Sequence, residues 1–333
     1  GRLSLIDASA FEAGRAYMAV KLPLLDDKAP YIWKTDDLGE SWTKIVDGIR
    51  DGAFVHTVRE DPYRRGLLYA GTNHGVYVSY NDGGRWQELN PALPDLPITS
   101  LIVEEDELAM ASHGRGFWIL DNISPLRQAR NGMTEEDLIL FQPAPAYRSA
   151  DGATLSYWLK EAPEEARLEI LGPEGEVLRT LEPQEDGEGG GRWSGGSMPA
   201  EAGLNRLSWD LRNDPAPTFP GMILWGARTM SATVPSGEYT VRLTADGRTE
   251  TTTLTVKRNP WIPDVSDEDL QAQWEFARQI QGKVAEANSA VIAIRRAKVQ
   301  LEERLEASQD QALHEAADAF VTKASEVEAD LYQ

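Results

Sequence analysis

TDDLGESWTKI (35–45) and SYNDGGRWQEL (79–89) follow one pattern: hydroxyl, any residue, acid or amide, any residue, glycine, two residues, tryptophan. Trp42 and Trp86 lie 44 residues apart. Self-similarity at a period of about 40–50 residues points to propeller blades. Between the boxes run AFVHTVRED (53–61), LLYAGT (67–72) and VYVSY (76–80), with WQEL (86–89) closing the unit. These are β-branched and aromatic runs bounded by Gly, Pro and Asn, as strands are. LSLIDAS (3–9), AYMAV (16–20), YIWKT (31–35) and WTKI (42–45) repeat the order upstream. A third unit, ITSLIVEED (98–106), ELAMAS (107–112) and GFWILD (116–121), has no box.

The box reads as a turn rather than as chemistry. Asp37 can accept hydrogen bonds from backbone N–H groups about two residues on, and Asn81 can do the same with its amide oxygen. Gly39 and Gly83 permit positive φ. Trp42 and Trp86 then start an outer strand and bury a large ring beneath it. The Asp37 carboxylate is consumed by its own loop.

The boxes resemble the Asp-box, or BNR, repeat of sialidase-like and sortilin-type β-propellers. Thr35, Asp37, Gly39, Ser41 and Trp42 match that pattern throughout. Ser79, Gly83 and Trp86 match too, with Asn81 in the acid's place and Arg85 in the second hydroxyl's. ASHGRGFWILDNISPLR (111–127) is similar to the stretch closing the propeller in large bacterial BNR-repeat proteins, often labelled glycosyl hydrolases. Residues 1–127 are then expected to be C-terminal blades. Three units cannot close a ring that needs about four blades or more, and open edges would remain. Either the same or a second polypeptide supplies the remaining blades; the resemblance implies the former, with most of them upstream of Gly1. It also implies an extracellular or periplasmic bacterial protein whose signal peptide lies outside this chain.

Pro125, Pro143 and Pro145 mark an extended connection, with a linker expected over 128–150. Over 151–260, TLSYWL (154–159), ARLEIL (166–171), VLRTL (177–181), LNRLSWDLR (204–212) and a hairpin around Asp246-Gly247 suggest an Ig-like β-sandwich. The same stretch also resembles the sandwich that follows the propeller in those bacterial proteins. EPQEDGEGGGRWSGG (182–196) reads as a hairpin tip, with weak calcium binding as the alternative. DPAPTFPGMILWGARTM (214–230) is a long insertion, functional or packed on a neighbour. Over 261–333 a helical hairpin is expected. Its first helix carries Leu270, Ala277, Val284, Val291 and Leu305 in one coiled-coil-like seam, and Ile280, Ala287, Ile294 and Leu301 in the other. Its second helix carries Leu313, Ala317, Phe320, Ala324, Val327 and Leu331. The fold class is thus mainly β with a C-terminal α-helical hairpin: partial propeller blades followed by an Ig-like sandwich.

Thirty-three basic against fifty-four acidic residues give a net charge of −21. Such a chain repels phosphate backbones and anionic lipid, which sets nucleic acid and membrane surfaces aside, and no apolar run approaches the ~18 residues that a membrane span needs. The absence of cysteine excludes disulfides, thiolate metal sites and a Cys nucleophile. The four histidines, His56, His74, His113 and His314, show no metal-ligand spacing. There is no G-x-S-x-G nucleophile elbow and no phosphate-binding glycine loop. Glycoside hydrolysis needs two carboxylates, or a Tyr with an acid, facing a sugar, and one part of a ring cannot supply the full set. The local candidate for ligand contact is SHGRGFW (112–118), with His113 and Arg115 at a strand end and Trp118 able to stack on a sugar. The competing reading makes them channel lining, with Trp118 in a blade core. No catalytic residue, metal or cofactor is expected. The sequence therefore points to a non-catalytic binding or scaffolding portion of a large exported BNR-repeat propeller, acting on protein or glycan. The alternatives are the C-terminal part of a glycosidase-like hydrolase, or a subunit docking through its helical hairpin.

Overall fold

The computed structural model describes residues 2–89, 93–130, 133–183, 197–223, 231–306 and 310–332. They form two compact units. One comprises Gly1–Ala144 with Ser156–Glu161 and Ala202–Asn205; the other comprises Pro145–Leu155, Ala162–Glu201 and Arg206–Gln333. The chain is mainly β, in several small sheets, and ends in a helical hairpin.

The first unit opens with three antiparallel meanders in chain order. The first sheet is β1 (Arg2–Ala8), β2 (Ala16–Lys21), β3 (Ile32–Thr35) and β4 (Thr43–Lys44). The second is β5 (Val55–Glu60), β6 (Leu68–Thr72), β7 (Gly75–Ser79) and β8 (Gln87–Leu89). The third is β9 (Ile98–Glu104), β10 (Glu107–Ser112) and β11 (Phe117–Leu120), with no fourth strand. Strand register puts Val58, Ala70 and Tyr77 in one cross-strand row. That row packs on Tyr17, Ala19 and Ile32 of the first sheet. Likewise Leu101 and Met110 of the third sheet pack on Tyr69, Val76 and Val78 of the second. The second sheet therefore meets the first on one face and the third on the other. Arg59 on β5 links the first strands of the three sheets: it donates to Asp7 of β1 (2.5 Å) and to the Leu101 carbonyl of β9 (3.1 Å). Successive meanders stacked on their first strands make a partial propeller.

Two faces of this stack lack a sheet partner among the described residues. On the first sheet, Ile6, Met18 and Trp33 form the row equivalent to Val58–Ala70–Tyr77. On the third, Ile102, Ala109 and Ile119 form the opposite row. Ile6, Ile102 and Ile119 are exposed, and neighbouring Phe117 is 87% exposed.

The expected linker at 128–150 is more structured than its prolines suggested. It includes the end of α1 (Ser124–Gln128) and the short strands β12 (Leu138–Leu140) and β13 (Ala146–Tyr147). β12 pairs antiparallel with the 157–159 end of β14 (Ala153–Leu159), in a sheet completed by β17 (Gly203–Trp209). The second unit holds the sheet β13–β19–β18–β15–β16, built from β15 (Ala166–Leu171), β16 (Val177–Leu181), β18 (Gly237–Ala245) and β19 (Arg248–Lys257). Tyr239, Val241 and Leu243 alternate inward, and Asp246 and Gly247 both take positive φ at the hairpin tip, as a two-residue turn requires. The glycine-rich segment 184–196, on which the calcium alternative fell, and residues 224–230 of the insertion lie outside the described residues.

The helices are α2 (Asp267–Leu305) and α3 (Gln311–Leu331). Ser266 and Asp269 form the reciprocal capping box that opens α2. Arg295 and Lys298 both reach Glu328 on α3, at 2.6 and 2.8 Å. The expected coiled-coil seam is only part of what α2 buries. Leu270 and Val291 are buried, but Ile280 and Val284 face outward while Gln281 and Asn288 turn in. Gln281 donates to the Asp214 carbonyl (2.6 Å), Asn288 to that of Pro217 (2.8 Å) and Arg295 to that of Pro220 (2.8 Å). Prolines leave loop carbonyls without helical or sheet donors, and this polar row at seven-residue spacing supplies them. The start of the 214–230 insertion is thus a strap along α2. Among the described residues, no helix is long and apolar enough to cross a membrane.

Candidate functional site

The two boxes fold into the same bonded turn. Thr35 Oγ1 donates to Asp37 (2.7 Å) and accepts from Gly39 N (2.9 Å). Ser79 Oγ donates to Asn81 (3.0 Å) and accepts from Gly83 N (3.0 Å). Asp37 accepts the amide of Ser41 (2.9 Å) and its hydroxyl (2.6 Å); Asn81 accepts the amide of Arg85 (2.9 Å). The long bond therefore spans four residues, where the simple turn reading expected about two. With three donors around it, Ser41 first, the Asp37 carboxyl is held down at about 2. Leu38 and Asp82 both take φ near 60°, and their amides donate to Gly14 O (3.0 Å) and Gly66 O (2.8 Å). Those two glycines, each with positive φ in the first hairpin of its sheet, are the half of the repeat that the box pattern does not display. Trp86 is 2% exposed and donates to the Ile45 carbonyl (2.9 Å). Trp42 is only half-buried and donates to Gly39 O (3.1 Å).

Neighbouring acids are also committed to structure. Asp82 accepts from Tyr17 (2.5 Å) and Lys34 (2.9 Å), and Arg15 lies at 3.4 Å. Burial, then the bond to Asp82, pushes the Tyr17 phenol far up. Asp61 is fully buried and paired with Arg127 at 2.9 Å; Arg127 also reaches Asp106 at 2.7 Å. This pair ties the segment after β11 back to the second sheet.

The opposite end of the sheets carries Lys21, His56, His74, His113 and Arg115. β1, β5 and β9 start there, and β2, β6 and β10 finish there. His113 and Arg115 stand exposed on the β10–β11 hairpin, where Gly114 and Gly116 take positive φ and His113 N donates to Pro97 O (2.9 Å). Trp118 is the second residue of β11 and packs against the core between the second and third sheets, as the blade-core alternative has it. Sequence reading gave Lys21 no role and weighed His56 only as a metal ligand, since neither lies in a local motif. Lys21 Nζ lies 3.1 Å from His56 Nδ1, and Phe54 meets the imidazole edge-on at 5.0 Å. Burial first, then Lys21 and His113, lowers the His56 pKa to about 4. His74 pairs with Asp95 at 2.8 Å and lines, with Arg50, a cleft of 140 Å³, below the roughly 300 Å³ of a usual ligand pocket. His314 sits on α3. Among the described residues, no three His, Asp or Glu group as metal ligands.

The depressed His56 pKa sets a stability window. Unfolded His takes up a proton near 6.5, whereas folded His56 waits until about 4. The unfolded state thus binds more protons between these values, and stability is lost as pH falls through that window. Replacing His56 with Phe is expected to flatten this part of the pH profile in urea unfolding. An unchanged slope would show that His56 is not held neutral.

No family model and no curated protein matches the sequence. Solved structures share limited overlap. YCF48 bound to a D1 peptide aligns at 20% identity over 47% of this chain and 48% of its own, with a TM-score of 0.26. The GH74 enzyme of Niastella koreensis aligns at 12% identity over 76% of this chain and 38% of its own, TM-score 0.31. An ancestral GH74 enzyme aligns at 14% identity over 76% and 31%, TM-score 0.30. The chain thus matches less than half the length of each. Overlap at this level identifies neither a fold nor an activity.

Proposed function

We propose that this chain is a non-catalytic binding portion of a large exported β-propeller protein, engaging a protein or glycan through the sheet end that bears His113 and Arg115. The carrying observation is the division of labour within the first unit. The Asp37 carboxylate and Asn81 amide are spent on their own turns, and Asp82 and Asp61 on ion pairs, while His113 and Arg115 stand exposed on a glycine-flanked hairpin. On this reading the boxes are Asp-box repeats of the sialidase-like and sortilin-type class. The apolar rows Ile6–Met18–Trp33 and Ile102–Ala109–Ile119 are covered by further blades of the same or a second polypeptide. The second unit is an Ig-like sandwich, and the protein works outside the cytoplasm or in the periplasm.

The test combines capture and turnover. The chain and its His113→Ala/Arg115→Ala variant are applied to glycan and peptide arrays and incubated with aryl glycosides. Ligand capture that falls about tenfold or more in the variant, with unchanged unfolding and no turnover, is expected. Glycoside cleavage by the chain would contradict the non-catalytic reading.

A second reading, assembly through the hairpin, has its own observation. Leu313, Phe320 and Val327 on α3 are spaced by seven and exposed, as a helix-docking stripe is. Size-exclusion mass measured with and without residues 266–333 decides it; equal subunit numbers count against docking.

A further inference from the structure

Lys21 ends β2, His56 lies in β5 and His113 follows β10, so three sheets each bring one positively chargeable side chain to the same end. Lysine's ammonium donates and cannot accept. Its 3.1 Å contact with His56 Nδ1 therefore makes Nδ1 the acceptor and places the imidazole proton on Nε2. That Nε2–H is buried and has no acceptor among the described residues. A buried donor left unpaired carries its full desolvation cost and calls for an explanation. His113 follows β10 at the same sheet end, its amide held by the Pro97 carbonyl (2.9 Å), and Arg115 is exposed two residues further along the hairpin.

We propose that Lys21, His56 and His113, extended outward by Arg115, form a binding site for an oxyanion group, a carboxylate or a phosphate carried by the ligand. The proposal rests on the binding reading of this sheet end and names the chemistry that the end selects. The oxyanion accepts the Nε2–H of His56 and offsets the positive charge that Lys21 and Arg115 bring to this end. Charge-assisted bonds of this kind are the stronger class. In a chain of net charge −21, the long-range field opposes anions, so a free small anion binds weakly and the ligand's remaining contacts supply the rest.

The four histidines permit a direct test by long-range proton–nitrogen NMR of the imidazoles. The chain is titrated with sodium phosphate, with sodium acetate, and with sodium chloride at matched ionic strength. Saturable shifts of His56 and His113, with His314 unmoved and a midpoint of about 1–10 mM, are expected for at least one oxyanion and not for chloride. A response to phosphate alone assigns a phosphate-bearing ligand, and a response to acetate alone assigns a carboxylate. Lys21→Met should weaken the midpoint at least about fivefold. Arg115→Gln, on the exposed hairpin, should weaken it without disturbing the His56 signal of the free chain. His56 signals that stay fixed, or that follow chloride equally, overturn the site. If they stay fixed while array capture still depends on His113 and Arg115, the oxyanion site fails and the binding reading stands.

Discussion

Replacing Arg127 with methionine is expected to destabilise the first unit by about 3–5 kcal/mol. Asp61 is fully buried. It accepts from the Tyr63 and Arg64 amides at 2.8 and 2.9 Å, and Arg127 supplies its one cationic partner among the bonds described, at 2.9 Å. Methionine keeps much of the side-chain volume and removes the charge, so an uncompensated carboxylate remains inside. The same guanidinium lies over the Tyr63 ring at 4.6 Å and anchors the segment after β11 through Asp106. The two backbone donors put the expected loss toward the lower part of the range. Urea unfolding followed by hydrogen exchange in β5, β6 and β10 measures it. Adding Asp61→Asn should restore part of the loss, because the stranded charge is gone. A loss below about 1 kcal/mol would place the pair among surface ion pairs and remove its role in holding the third sheet's exit.

Trp86→Ala is the second large effect, about 3–5 kcal/mol for deletion of a buried indole. Its informative partner is Trp42→Ala, expected to cost less than half as much. The two tryptophans occupy the same place in the same box, and both donate their indole N–H to a carbonyl. They differ in what covers them. Trp86 packs in the core shared by the first two sheets, while Trp42 belongs to the first sheet and is half-buried. Equal losses would mean that the tryptophans are stabilised within their own sheets. The stacking of one sheet on the next would then contribute little.

The strand order of the first unit was legible because hydrophobic alternation and a repeated turn both speak through single residues. Thr35, Asp37, Gly39 and Trp42 recur as Ser79, Asn81, Gly83 and Trp86, and the bonds repeat with them. The acceptors for the box amides were not legible. Gly14 lies 24 residues before Leu38 and Gly66 lies 16 before Asp82, so no fixed spacing links them. Asp82 is also hidden, since its partners Arg15, Tyr17 and Lys34 come from the preceding sheet. On α2 the seven-residue spacing placed Leu270 and Val291 in the buried face, but hydrophobic counting missed the polar row beside them. The buried row contains Gln281 and Asn288 because the strap they bind presents carbonyls instead of side chains. At the sheet end, His113 and Arg115 stood out by their place where a strand meets its loop. Lys21 and His56 did not, because 35 residues separate them and only the stacking of two sheets brings them within 3.1 Å.

The central claim is that the box acid is a fastener for its own turn. A carboxyl that serves as a general acid is held above its ordinary pKa near 4 by burial or a like charge. A carboxylate that accepts several donors is held below it. Asp37, bonded to Ser41 and Thr35, falls in the second class. Its contribution to stability is then fully present above pH 4 and is lost as pH falls from there through about 2. The decisive measurement is the carbon-13 NMR titration of the Asp37 carboxyl in the folded chain. A midpoint at about 2, moving up toward the ordinary value in Ser41→Ala, is the predicted result. A midpoint at or above the ordinary value, unaffected by Ser41→Ala, would contradict it and return Asp37 to the residues that could do chemistry.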